Sequence, residues 1–304
     1  MDTFLSVLFL SLSKGAIYGV VAFGLVMVWR GSGILNFAQM GQAMFTTYIA
    51  SNLIINGQSY WIAAIIAIVL GGLLGATIQQ LVMRPIEAMS SKSKTSDIEA
   101  IFAIVPIVAT LGLLALFQSV AGMIWAGEER GFPAPVSTFG ILVGEDILPF
   151  SAFDIFTIGV LAVVLVITVL FFRMTNMGLA MRAAALSPEV ARLNGVRVDR
   201  VKTLGWVISG ALASLAGVLV TPTANLSPNT LDLVLIIGFT AAVIGGIESL
   251  PGAILGGVII GTLVNVISVY IDPENVFVSI LIVLFLVLLV RPQGIVGTKA
   301  GRLA

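Results

Sequence analysis

The sequence predicts an all-α polytopic membrane protein with about nine transmembrane helices. Three observations carry this. First, 59% of the 304 residues are apolar and only 10% are charged, against about 45–50% and 25% in a soluble domain. Second, mean hydropathy is +1.13. Third, apolar stretches recur at the length needed to cross a bilayer, roughly 20 residues for about 30 Å of hydrocarbon. Too few polar residues remain to cover a soluble surface, which excludes a cytosolic enzyme, a nucleic-acid binder and a disordered chain. The absence of His and Cys removes the usual nucleophile–base pairs, zinc sites and haem ligands. No cofactor or metal is expected.

The stretches run at about 4–29, 33–55, 59–83, 99–126, 151–172, 202–221, 232–247, 252–271 and 275–291. The first is interrupted by Lys14 and has no basic region before it, so it reads as a retained span and not a cleaved signal. The second begins in the polar, Gly-rich run Gly31–Gln39 and reads as broken or partly inserted. The stretch 232–271 is pinched at Gly245-Gly246-Ile247-Glu248-Ser249-Leu250-Pro251-Gly252, where the density of helix breakers marks a turn. An eight-span count follows if one stretch is re-entrant. The whole chain, 1–304, reads as one transmembrane domain.

Thirteen of the 15 basic residues fall on one side of this span order: Arg30, the connection 84–98 with Arg84, Lys92 and Lys94, the connection 173–202, and Arg291, Lys299 and Arg302. The opposite side collects Asp2, Glu128, Glu129, Glu145, Asp146, Asp154, Asp232, Asp272 and Glu274, with Arg130 and, at its edge, Lys14. The positive-inside rule makes the basic side cytoplasmic. The N-terminus is then outside and the C-terminus inside.

Two connections are long. The outer one, about 127–150, is turn-rich at first, and Val136–Val143 then reads as a short strand pair. It is a docking surface or an ordinary solvated connection. The inner one, about 173–202, carries Arg173, Arg182, Arg192, Arg197, Arg200 and Lys202. Its segment Asn176–Leu186 favours helix. Ser187-Pro188-Glu189 reads as a capped helix start, and Gly195 as its left-handed stop. A plain connection needs only a few residues. Nearly thirty residues here build a capped helix that a soluble partner can grip. Anionic lipid holding an interfacial helix is the competing reading.

Small residues recur on single helix faces: Gly71-x-x-x-Gly75, Ser209-x-x-x-Ala213-x-x-x-Gly217, Gly252-x-x-x-Gly256 and Gly257-x-x-x-Gly261. Lipid gives helices no hydrophobic reason to meet, so such stripes serve close packing. Asn36, Gln39, Gln42, Gln118 and Asn265 are candidates for interhelical hydrogen bonds or for contact with a solute. Glu248 and Lys14 are the ionisable candidates within the spans. The chain has no phosphate-binding Gly-x-x-x-x-Gly-Lys-Ser/Thr loop. Any ATP hydrolysis must come from elsewhere.

Several ordered segments carry a resemblance. They are Ile34-Leu35-Asn36-Phe37-Ala38-Gln39, Met83-Arg84-Pro85-Ile86, Met177-Gly178-x-x-Met181-Arg182-Ala183, and Leu193-Asn194-Gly195-Val196-x-Val198-Asp199-Arg200-Val201. Phe239–Ile247, Ser249–Gly257 and Arg291-Pro292-x-Gly294-Ile295 follow in order. The chain resembles the membrane permease subunits of ABC importers for branched-chain amino acids, the shorter of the two permease types. The resemblance implies a second permease subunit, different more than identical, two cytosolic ATPase subunits and an extracytoplasmic solute-binding protein, in a prokaryotic inner membrane. It also implies an ATPase-coupling loop with Gly178, Arg182, Ser187, Glu189, Arg192, Gly195, Asp199 and Arg200 as its key positions. Asn36, Gln39, Gln42 and Glu248 are the pathway candidates. Many relatives have His-Gly where this chain has Gln39-Met40-Gly41, and a small residue at Glu248. Related permeases move urea, short amides and other hydrophobic amino acids. A self-contained ion-coupled carrier is the alternative of a different class.

Overall fold

The computed structural model describes residues 3–90, 96–143 and 146–297. Asp2, Lys92, Lys94, Glu145, Lys299 and Arg302 lie outside them. Twelve α-helices follow in order. They are α1 (Thr3–Ser32), α2 (Gln39–Ile55), α3 (Tyr60–Ile78), α4 (Arg84–Ser90), α5 (Ser96–Trp125), α6 (Ala152–Met174), α7 (Asn176–Leu186), α8 (Pro188–Leu193), α9 (Val198–Val220), α10 (Asp232–Gly245), α11 (Leu250–Tyr270) and α12 (Val276–Val290). A π-helical turn, Gln79–Met83, joins α3 to α4. The protein is an all-α polytopic membrane protein, as its composition requires.

Among the described residues, seven helices are long and apolar enough to cross a membrane. The other two expected stretches form shorter helices: α2 with 17 residues and α10 with 14. At 1.5 Å per residue, α10 reaches only about 21 Å. The reason differs in each case. The Gln39 side chain donates from Nε2 to the carbonyl of Val21 at 3.1 Å and packs on Gly24. The chain therefore turns back inside the molecule, and α2 starts about three turns short of the end of α1. Nonhelical backbone at membrane depth survives only when protein covers it, and here Asn36 and Ala38 are buried. Helix α10 instead stops at Gly245, where Gly246 takes φ +104.

That early stop is closed by a clasp from the far side of α11 and α12. Ile295 N–H donates to Ile244 O at 2.8 Å and Val296 N–H donates to Gly245 O at 3.1 Å. Two carbonyls that the last turn of α10 leaves free are thus satisfied by backbone.

The helices are ordered around two posts, α1 and α9. Helix α1 packs along α11 and also meets α9, α10 and α6, while α3 runs along α9 with α2 beside them. Glycines set these contacts. On α11, Gly252 and Gly256 face Gly245 and Ala241 of α10, whereas Gly257 and Gly261 face Gly19 and Gly15 of α1. Gly71 and Gly75 lie against Gly210 and the Trp206 carbonyl of α9, and Gly217 lies against Ala43 and Thr47 of α2. Without a Cβ, backbones close to a distance where dispersion replaces the missing hydrophobic drive. Helix α12 has one polar residue, Ser279, and most of its side chains are exposed. Such a helix faces lipid.

The outer connection forms an antiparallel strand pair. Its strands are β1 (Gly140–Val143) and β2 (Asp146–Ser151), with Leu142 opposite Ile147. The pair lies later than the expected 136–143, because Val136–Phe139 has no partner strand among the described residues. Ser151 and Asp154 then cap α6 reciprocally.

Candidate functional site

The expected coupling loop is built as two short helices, α7 and α8, between the long α6 and α9. Thr175 opens α7 by accepting from Gly178 N–H at 2.9 Å, and Ser187 opens α8 by accepting from Val190 N–H at 3.3 Å. Gly195 closes α8 with φ +81 and donates its N–H to Arg192 O at 3.0 Å. Gly178 is buried where α7 folds back on α6. A Cβ there would lie 2.5 Å from Phe171 O and 2.6 Å from Phe172 Cα.

The inner face of this segment is apolar and anchored. Met181, Ala184, Ala191, Val198 and Val201 are buried in one core cluster with Ala22, Phe23, Val26 and Met27 of α1. The outer face carries Arg182, Glu189, Arg192, Gly195, Asp199 and Arg200, all exposed. Asp199 lies between Arg192 at 3.6 Å and Arg84 at 3.8 Å, and all three side chains are more than half exposed. Such pairs contribute about 0–1 kcal/mol each. The closer bridge is Lys202 Nζ to Glu87 Oε2 at 2.8 Å, which ties α9 to α4. Two leucines absent from the sequence-based candidates stand at the helix ends: Leu186 is 88% exposed and Leu193 87%. Isolated apolar residues in a basic connection are the signal that would have found them.

The pathway candidates separate. Asn36, Gln39 and Gln42 are each at most 1% exposed, at or near the interior start of α2. Glu248 is exposed, in the turn between α10 and α11, and does not join them. The amides belong to a polar seam between α2, α3 and α9. Ser209 Oγ donates to Gln39 Oε1 at 3.1 Å, and Thr46 Oγ1 donates to Ser214 Oγ at 2.8 Å. Both amide atoms of Asn36 and of Gln42 are buried without a partner, as are Gln79 Oε1 and Trp206 Nε1. Each such group costs about 1–3 kcal/mol unless something bonds it. Ser209 was not foreseen, because its place in the seam depends on which helices meet.

Gln118 and Asn265 do bond between helices. Gln118 Nε2 donates to Asp232 Oδ1 at 2.8 Å, and Asn265 Nδ2 to Ser11 Oγ at 3.4 Å.

Residues 7–290 match the family described as the branched-chain amino acid transport system / permease component. The chain belongs to this family. The high-affinity branched-chain amino acid transport system permease protein LivH of Salmonella typhimurium is 31% identical, over 97% of this chain and 96% of its own length. The probable branched-chain amino acid transport permease LivH of Methanocaldococcus jannaschii is 27% identical, covering 93% and 90%. The permease protein BraD of Pseudomonas aeruginosa is also 27% identical, covering 94% and 93%. No solved structure matches. Membership makes the chain a transport permease component, not an enzyme.

Proposed function

We propose that this chain is the translocating subunit of an ATP-driven importer for branched-chain or similarly hydrophobic amino acids. It works beside a second, nonidentical permease, two cytosolic ATPase subunits and an extracytoplasmic solute-binding protein. The basic end faces the cytoplasm. The names of the three relatives support the solute. The observation that carries the mechanism is the α7–α8 segment: its inner face is locked to α1, and its outer face offers two bare leucines beside exposed Arg182, Glu189, Arg192 and Arg200.

Leu186 and Leu193 are the apolar grips for an ATPase subunit, and the charged side chains set its register. Ser187 and Gly195 fix α8 between them. When the ATPase pair closes on nucleotide, the segment moves as a block, because Met181, Ala184 and Ala191 are held in the α1 cluster. The motion passes to α1 and α9, and the seam they border opens to alternate sides. Asn36, Gln39 and Gln42 then offer hydrogen bonds to the ammonium and carboxylate of a zwitterion. The side chain of the solute meets only apolar helix faces.

The test is reconstitution with the ATPases and binding protein. Leu186→Arg with Leu193→Arg is expected to keep expression and melting temperature while abolishing ATPase retention and uptake of leucine. Uptake driven by an ion gradient without ATPases would overturn the reading, as would normal transport by the double variant.

A further inference from the structure

The basic end holds a groove of about 660 Å³ outside the seam. Its walls are the π-helical turn and α4, the link after α8, and the first turns of α9. Arg84, Arg192, Arg197 and Arg200 line it, together with the carboxylates of Glu87 and Asp199. Glu87 is occupied by Lys202 at 2.8 Å. Asp199 is shared by two guanidiniums at 3.6 and 3.8 Å, each with five donors, so most donors stay free. Arg197 and Arg200 are exposed and form no ion pair among the described residues. The mouth therefore carries surplus positive charge.

The inner wall is different. Met177, Leu204 and Val207 make it apolar. Val207 packs on Gly72 of α3, and α3 and the π turn also bear Leu73 and Leu81, 58% and 71% exposed. Gln79 also lines the groove, only 3% exposed, with Oε1 unpartnered. Its amide bonds as donor or acceptor depending on which way it is turned. Gln79 begins the π turn, a distortion frequent at functional sites.

A cationic mouth, a buried unpartnered amide and an apolar wall match one kind of ligand. We propose that this groove binds the phosphate of an anionic phospholipid. Arg84 and Arg197 hold the phosphate. The Gln79 amide meets the ester region, and an acyl chain lies along Leu204 and Val207. The surplus charge favours an anionic over a zwitterionic headgroup. The groove shares Arg192 and Arg200 with the coupling segment, but the phosphate is assigned to Arg84 and Arg197, which the coupling role does not use.

The experiment places the full chain in nanodiscs of phosphatidylcholine, with or without phosphatidylglycerol. It measures retained lipid by native mass spectrometry, and the melting temperature. Phosphatidylglycerol is expected to be retained and to raise the melting temperature. Inorganic phosphate added to phosphatidylcholine discs should not. Arg84→Ala with Arg197→Ala should lower phosphatidylglycerol retention at least about tenfold and leave ATPase retention unchanged. Equal behaviour of the two lipids would overturn the proposal, and that comparison needs no variant. An equal effect of free phosphate would assign the groove to a soluble anion instead. Loss of ATPase with lipid retention intact would assign it to the ATPase. Either result also rejects the lipid.

Discussion

The spacing of α3 and α9 offers a controlled test of how glycine sets this fold. Gly72 and Gly75 are both buried on α3, both face α9, and differ in what lies opposite. A Cβ on Gly72 would sit 3.4 Å from Val207 Cγ1 and from Val207 O, an ordinary contact. A Cβ on Gly75 would run into the Trp206 carbonyl oxygen and lie 2.8 Å from its carbon. To restore ordinary contact the helices must part by more than half an ångström. Overpacking of this kind costs about 1–3 kcal/mol, and helix propensity returns about 1 kcal/mol at either site. Gly75→Ala is therefore expected to lose up to about 2 kcal/mol, and Gly72→Ala to lie between neutral and about 1 kcal/mol more stable. The assay is thermal unfolding in detergent, followed by tryptophan fluorescence and size-exclusion recovery. Melting temperatures should move in opposite directions, or only the Gly75 variant should fall. Equal shifts in both variants would refute the idea that the Gly75–Trp206 approach fixes the distance.

Three further outcomes follow from the site. Gly195→Val places a β-branched residue at φ +81 in open space. It should cost about 1–2 kcal/mol of backbone strain and release the ATPases in co-purification, whereas Gly195→Asn should keep them. Gly178→Ala must push α7 off the last turn of α6; the strain of about 1–3 kcal/mol should appear as about 5- to 150-fold weaker coupling of ATP hydrolysis to uptake, measured as solute moved per ATP. Gln42→Leu removes two buried, unpartnered amide atoms. It should raise stability by about 1–2 kcal/mol yet cut solute uptake, and undiminished uptake would take Gln42 out of the path.

Elements determined by local chemistry are legible in the residues themselves. Ser187, Pro188 and Gly195 set a helix to within a residue of Pro188–Leu193, because caps act over one turn. The small-residue stripes are visible too, though not which helices they join; periodicity gives a face but no partner. Helices α2 and α10 are shorter than their apolar stretches suggest. Their ends are fixed by contacts from elsewhere, Val21 O in one case and residues 295 and 296 in the other. The same limit hides the seam. Asn36, Gln39 and Gln42 can be named from their polarity, but Ser209 joins them only through the packing of α9 on α2. Glu248 stands out in the sequence as a charge among apolar residues, yet it occupies an exposed turn.

The bonds from Ile295 and Val296 to the end of α10 have a consequence for biogenesis. A ribosome delivers α10 to the bilayer well before it makes those two residues, since α11 and α12 come between. Until then the carbonyls of Ile244 and Gly245 lack these backbone partners. The nascent protein must either hold that region at the aqueous boundary or wait with it unfinished. Assembly of this half of the molecule is therefore completed late, by the segment beyond its final crossing.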